Sequence, residues 1–419
     1  MATTEAEDLD DFRERARKWV TANLRPGGAE RAGLRGSTDE EAELAAVARE
    51  REVQRAMFDA GFAGICFPKE YGGQGLPPAY QGAFNEALAG YEYPGRLQVP
   101  TLSPCAAVLL EFGTEEQKRQ HIPAMLKGEE LWMQLLSEPG GGSDVAGATT
   151  TAMRDGEEWI LNGSKIWTTG AWWSDWGLCL TRTNWDLPKH RGLTVFILPL
   201  RQPGLDVHRI EMLNGSREFC QEFLSDVRVP DTDRVGDVDD GWTVGTRWMF
   251  HERMLYNSPL VSFPAGAGNA AGGPDLLGIA RSAGVLGDVA MRERVGEGRV
   301  LDVVGNCLQD RVGAAVRSRQ MSDQAAAIVR LFKGISAART RTLGYEIAGA
   351  AGGVWADGDG ASADAGVDFL MRQTACIGGG TTEMARNVIS ERVLGMPREP
   401  AVGRDLPYRD VPRSATSRR

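Results

Sequence analysis

The sequence predicts an α+β multidomain fold in which helical parts flank a β insert. Three observations carry this. Before about residue 130, apolar positions recur with the helical period and are punctuated by caps. From Leu131 to about Val235, short β-branched and aromatic runs alternate with turns. After Gly241 long helical patterns return. The expected division is an all-α domain over 1–130, a β domain over 131–240, helices over 241–400 and a structureless, arginine-rich tail over 401–419.

Each element has a local reason. Leu9 to Asn23 places Phe12, Ala16, Trp19 and Val20 on one face and stops before Pro26. Ser37-x-x-Glu40 reads as a capping box opening a helix that Gly61 ends. Thr114-x-x-Gln117 is a second capping box, and Gly128 ends its helix. In the β insert, Asn162-Gly163 between apolar runs reads as a hairpin turn, Leu193 to Leu198 as a buried strand, and Phe219 to Pro230 as a pair of strand-like runs. The last part predicts a helix from Gly241 through Leu255, a Gly/Ala-rich loop from Pro264 to Pro274, and helices near Leu276–Val295, Arg299–Arg319 and Ser322–Ala350. A closing helix follows Ile377-Gly378-Gly379-Gly380-Thr381-Thr382-Glu383.

Composition narrows the functional classes. The 419 residues are 42% hydrophobic and 25% charged, with a formal net charge of −10. That charge disfavours nucleic acid and anionic membranes as partners. No apolar run is long enough to span a bilayer. The acidic residues between Glu5 and Asp11 are the opposite of a signal peptide's basic start, so a cytoplasmic protein is expected. Six cysteines at 66, 105, 179, 220, 307 and 376 form no Cys-x-x-Cys pair, and no metal site is expected.

The chemistry concentrates in Ser137-Glu138-Pro139-Gly140-Gly141-Gly142-Ser143-Asp144. Proline and three glycines make a turn whose N–H groups can face a ligand closely. Ser137 and Ser143 bracket it, while Glu138 and Asp144 are placed to orient hydroxyls or accept from backbone N–H. Downstream, Asn162-Gly163-Ser164-Lys165-Ile166-Trp167-Thr168-Thr169 brings an aromatic ring beside hydroxyls, which suits a flat hydrogen-bonding heterocycle.

These two stretches resemble the acyl-CoA dehydrogenase family of flavoproteins, which pairs Ser-Glu-Pro-x-x-Gly-Ser-Asp with Asn-Gly-x-Lys-x-Trp-x-Thr at this spacing. Pro68-Lys69-Glu70-Tyr71-Gly72-Gly73-Gln74-Gly75 and Gly113-Thr114-Glu115-Glu116-Gln117-Lys118 match as well, so the resemblance runs to about Pro397. It implies an N-terminal helical domain, a central β-barrel-like domain and a C-terminal four-helix bundle. It implies FAD as cofactor and a role in lipid metabolism. Ser137 falls where the family places a hydroxyl on the flavin's pyrimidine edge, Gly142 and Ser143 where it meets pyrophosphate and substrate. Trp167 falls at the ring cover, Thr169 near the reactive edge, and Thr381 and Glu383 in the closing FAD-contacting turn.

The implied reaction is α,β-dehydrogenation of an acyl-CoA or acyl-carrier thioester, with electrons passed to an electron-transfer flavoprotein. Its base must be a desolvated carboxylate. Many relatives carry a Glu just before the closing Gly-Thr, but that position here is Gly379. Another branch places the base directly before an Arg on the first long helix of the last domain, which gives Glu252 with Arg253. Trp248 and Tyr256 share its helical face. A structural ion pair is the alternative reading of Glu252, and Glu383 is the reserve base.

Several departures matter. Leu135 replaces a usually small residue, no Arg-x-x-Phe-Gly segment lies between Leu276 and Arg317, and the usual Gly-Gly-x-Gly is altered around Gly349–Gly353. FAD contacts across a subunit interface are therefore in doubt. Such losses also occur in bacterial branches acting on bulky sterol-derived thioesters. Three functional readings stay open: a dehydrogenase assembled as a homodimer or homotetramer, a monooxygenase or oxidase on the same fold, and one subunit of a hetero-oligomer.

Overall fold

The computed structural model describes residues 7–27, 39–255, 258–264, 273–354, 361–398, 400 and 403–412. Helices occupy the first part: α1 (Leu9–Asn23), α2 (Glu40–Asp59), α3 (Pro78–Ala87), α4 (Gly95–Pro100), α5 (Ala107–Phe112) and α6 (Glu115–Lys127). A π-helical turn, Thr101–Ala106, joins α4 to α5 and is buried throughout. Asp39 caps α2 by accepting from Glu41 and Ala42 N–H. The expected Ser37 cap is thereby displaced, and Ser37 itself lies outside the described residues. The Thr114–Gln117 box on α6 forms as expected.

The central sheet contains β1 (Trp132–Leu135), β2 (Thr151–Asp155), β3 (Glu158–Thr169), β4 (Trp176–Arg182), β5 (Leu193–Pro199), β6 (Leu205–Arg209), β7 (Phe219–Pro230) and β8 (Arg234–Val235). Its order is β6-β7-β3-β2-β4-β5-β8, with β1 parallel to β4. Its inner face gathers Leu135, Leu161, Cys179, Phe196, Leu198, Cys220, Leu224 and Val227 into one core.

Two expectations change here. Asn162-Gly163 is no hairpin; it is a bulge within the twelve-residue β3, where the register against β7 slips between Leu161 and Gly163. The turn joining β2 to β3 is Gly156-Glu157 instead. A Cβ at Gly163 would stand 2.6 Å from Thr150 Oγ1, so close approach demands this glycine. Asn162 exchanges hydrogen bonds with Asp226, Nδ2 to Oδ1 at 3.0 Å and Asp226 N to Oδ1 at 2.9 Å. Phe219–Pro230, expected as two runs, is one strand.

The last part holds α7 (Gly241–Arg253), α8 (Leu276–Ser282), α9 (Val289–Arg317), α10 (Ala326–Ala348), α11 (Ala361–Leu370) and α12 (Thr382–Val388). The expected Leu276–Val295 helix breaks after Ser282, where Gly284 takes φ +69° and Asp288 opens α9. α9 then runs through the expected break near Arg299. Gly298 on α9 lets Leu276 pack, since a Cβ there would meet Leu276 Cδ1 at 2.2 Å.

Residues 403–412 are not the structureless tail expected from composition. Tyr408 is buried, its ring stacks on Trp185 at 5.5 Å, and its hydroxyl donates to Gly147 O at 2.6 Å. The Arg182 guanidinium lies 4.1 Å from the Tyr408 ring centroid. Aromatic burial thus outweighs the polar composition around it. Among the described residues no helix is long and apolar enough to cross a membrane.

Candidate flavin and acyl-thioester site

The glycine turn is anchored from beneath. Glu138 and Gly141 exchange backbone hydrogen bonds of 3.2 and 2.9 Å, closing the turn. The Glu138 carboxylate accepts from Thr149 N and Oγ1 at 2.7 Å each, from Thr150 N at 2.9 Å and from Lys165 Nζ at 2.9 Å. Burial alone would raise this carboxyl, but Lys165 and the threonine bonds hold it at about 2. Lys165 also donates to Leu136 O at 3.2 Å, and Ile166 N donates to Ser137 O at 3.0 Å. The turn is therefore fastened to β3 just before Trp167. Asp144 takes a different role from Glu138 and pairs with Lys189 at 2.7 Å.

Ser137 and Gly142 face each other across the turn: a Cβ on Gly142 would lie 3.8 Å from Ser137 Oγ. Gly142, Ser143 and Thr169 are exposed, and Ser137 is half-buried. Trp167 stands 52% exposed, with its ring edge-on to Phe219 at 5.9 Å. It is the extra residue of a second bulge, because Ile166 pairs with Gln221 and Thr168 with Cys220. Its φ of +68° is one that a bulky side chain rarely takes. An exposed tryptophan held in that conformation beside hydroxyls and an open glycine turn fits the face and phosphate edge of a flavin nucleotide.

Glu252 lies in the last turn of α7, half-buried, and burial pushes its carboxyl up while Arg253 pulls it down. Among the described residues no hydrogen bond or ion pair is formed by the Glu252 side chain, and Arg253 acts on it only through its charge. Arg253 is exposed. Tyr256, expected on the same face, lies outside the described residues. α7 is fixed on both sides: Trp248 Nε1 donates to Gln134 Oε1 at 2.5 Å, and Arg247 and His251 both meet Glu111, at 2.6 and 2.8 Å. Gln134 is three residues before Ser137, so a single anchor relates the Glu252 helix to the glycine turn.

The closing turn stands apart. Thr381 caps α12 by accepting from Met384 N at 3.0 Å, and Glu383 accepts from Thr382 Oγ1 at 3.0 Å. Among the described residues no hydrogen bond or ion pair joins Gly378–Glu383 to the Ser137–Thr169 platform. Gly379 has φ +70°, a conformation unfavourable for a glutamate.

Sequence reading missed several supports. Lys165 was visible as one of seven lysines in the chain, inside a quoted motif, yet its burial was not. Arg182, also fully buried, donates to Ala146 O at 2.6 Å and Ala148 O at 3.2 Å behind the glycine turn. Glu222 carried no sequence signal. Trp172, Trp173 and Trp176 pack: Trp173 is buried, Trp176 stacks with Trp132, and Arg209 covers Trp172.

Residues 6–129 match the acyl-CoA dehydrogenase N-terminal domain and residues 134–247 the acyl-CoA dehydrogenase middle domain. The acyl-CoA dehydrogenase IpdE1 of Mycobacterium tuberculosis is 31% identical over 94% of this chain and 99% of its own. Acyl-CoA dehydrogenase FadE34 of the same organism is 34% identical over 88% of this chain, which spans only 50% of FadE34. Among solved structures, the Tcur3481-Tcur3483 steroid ACAD superimposes with a TM-score of 0.74 at 28% identity, covering 95% of this chain and 100% of that one. The ChsE4-ChsE5 complex of Mycobacterium tuberculosis follows with a TM-score of 0.68 at 26% identity, over 95% of this chain and 100% of that one. The chain thus belongs to the acyl-CoA dehydrogenase family, FAD-binding oxidoreductases acting on CH–CH bonds.

Proposed function

We propose that this protein dehydrogenates an acyl-CoA thioester with Glu252 as the base that removes the α-proton. The observation that supports this best is the half-buried Glu252 carboxyl on α7, without a hydrogen-bond partner among the described residues, whose proton affinity burial raises. Bound FAD supplies the acceptor for the β-hydride. Trp167 would cover the flavin ring, Ser137 and Thr169 would hydrogen-bond its edge, and Gly142 and Ser143 would offer N–H groups to pyrophosphate and thioester. By resemblance to the family, Thr381 and Glu383 of the closing turn would also contact FAD, away from the Ser137–Thr169 platform. Arg253 and Ser143 orient the substrate. An electron-transfer flavoprotein is the proposed acceptor of the electrons, as the family resemblance implies. A ring-bearing, sterol-derived acyl group is the proposed substrate class, supported by the steroid ACAD likeness.

Anaerobic titration with a panel of acyl-CoAs, followed at the flavin absorbance, tests this. Glu252→Gln should retain yellow flavin and lose bleaching by about 10²- to 10⁴-fold in rate. A variant that bleaches as fast as the parent would remove Glu252 from the role.

A second reading concerns assembly. α9 and α10 carry an apolar groove formed by Leu301, Leu308, Ile328, Leu331, Phe332 and Ile335. Val300, Val303 and Val304 are exposed beside it. The two-component likenesses and the double length of FadE34 support a second acyl-CoA dehydrogenase-fold subunit as its cover. Val303→Glu should then lower the sedimentation mass of the assembly; an unchanged mass rejects the groove as the interface.

A further inference from the structure

Three ionisable side chains meet inside the central sheet, under the Trp167 bulge. Lys165 on β3 and Glu222 on β7 are paired across the ladder and fully buried, and Glu138 reaches in from the glycine turn. Lys165 Nζ donates to Glu138 and to Leu136 O. Glu222 is bonded differently: Oε2 meets Thr168 Oγ1 at 2.9 Å, while Oε1 is buried with no partner. One lysine is thus matched by one carboxylate, and an ionised Glu222 would add a buried negative charge with a bare oxygen.

The Thr168 hydroxyl stands between two acceptors. Besides Glu222, it lies 3.5 Å from Gln134 O, and a hydroxyl has one proton to donate. A neutral Glu222 donates to Thr168 Oγ1 and leaves that proton for Gln134 O. An ionised Glu222 claims it, and Gln134 O loses its donor. Thr168 directly follows Trp167, so its buried hydroxyl restrains the strained residue from one side, as the Ile166 N–H bond to Ser137 O does from the other.

We propose that Glu222 is a positioning residue for the flavin platform: in its neutral form it turns the Thr168 hydroxyl towards Gln134 and so holds the Trp167 bulge, and its ionisation releases that hold. This rests on Trp167 being the flavin cover. Burial pushes the Glu222 carboxyl up to about 8, against the lowering pull of the Thr168 bond, its own backbone N–H and the Lys165 charge. The other ionisable groups around it are Glu138 on the turn, Cys179 on β4 and Cys220 on its own strand, with Arg209 of β6 acting on Cys220.

The test takes the full-length protein from about pH 6.5 to about pH 9.5, on either side of the Glu222 transition. Near-ultraviolet circular dichroism of the flavin-free chain reports the tryptophan environment, and fluorescence titration gives the FAD Kd. The parent should lose tryptophan ellipticity as pH rises and bind FAD about five- to tenfold more weakly, the scale of one lost hydrogen bond. Glu222→Gln, neutral throughout, should be flat in both. Thr168→Val should resemble the high-pH parent already at the lower pH. A parent that stays flat, or a Glu222→Gln that keeps the parent's pH profile, overturns the proposal; the parent series decides even if a variant does not fold. Unchanged FAD affinity in Trp167→Ala would sink the platform reading instead, whereas the flavin-free dichroism reads the Glu222–Thr168 link by itself.

Discussion

Replacing Glu138 with Gln removes the one carboxylate that, among the described residues, is hydrogen-bonded to the buried Lys165. The carboxyl falls from an ordinary 4.5 to about 2, which corresponds to about 3 kcal/mol of stability. A folded-state value below the unfolded one means that this stability is fully present above about pH 4.5 and disappears as pH falls towards about 2. Leaving Lys165 uncompensated raises the expected cost of Glu138→Gln to about 3–5 kcal/mol near neutrality. Among the described residues Glu222 is then the carboxylate left beside Lys165, and its ionisation would recover part of that cost. The parent, whose Glu222 binds its proton more tightly folded than unfolded, loses stability between about pH 4.5 and about pH 8. Glu138→Gln should lose that slope. Urea unfolding followed by tryptophan fluorescence, at closely spaced pH values, measures both effects. A double-mutant cycle with Lys165→Met isolates the pair. A loss under about 1 kcal/mol, or strict additivity of the two substitutions, would refute the buried charge balance.

Other consequences are more local. Gly163→Ala forces a Cβ to within 2.6 Å of Thr150 Oγ1, and should cost about 1–3 kcal/mol in urea unfolding; a neutral result would mean the bulge relaxes freely. Tyr408→Ala should cost about 3 kcal/mol and speed hydrogen exchange at 144–148, because the ring and hydroxyl that cover Arg182 and Gly147 are gone. Unchanged exchange there would show that the segment is merely laid on the surface. The acid limb of the dehydrogenation rate should titrate above 4.5, since burial raises Glu252 and the base must be ionised to act. A midpoint at or below the ordinary carboxylate value would contradict a desolvated base.

Local chemistry was legible wherever one short stretch carried it. The Thr114–Gln117 box capped α6, and Ser137–Asp144 formed a closed turn beside β3. The order of helices, strands and helices was also readable, because periodicity repeats over many residues. Asn162-Gly163 was misread because the dipeptide satisfies a hairpin and a bulge alike, and only the pairing of β3 with β7 chooses between them. The break after Ser282 hung on Gly284 and the Asp288 cap, weak signals within an apolar pattern.

The sequence by itself carries the family resemblance, since the Ser137–Asp144 turn, the Asn162–Thr169 stretch and the glycine at 379 are read directly from it, and the flavin platform and the Glu252 base are what that resemblance implies. Which charges are buried, and how they balance, emerged only from the tertiary structure. Lys165, Glu138 and Glu222 are up to 84 residues apart in sequence and meet because three separate segments close on one core. Burial and proton affinity depend on everything around a group, and no window along the chain contains those surroundings.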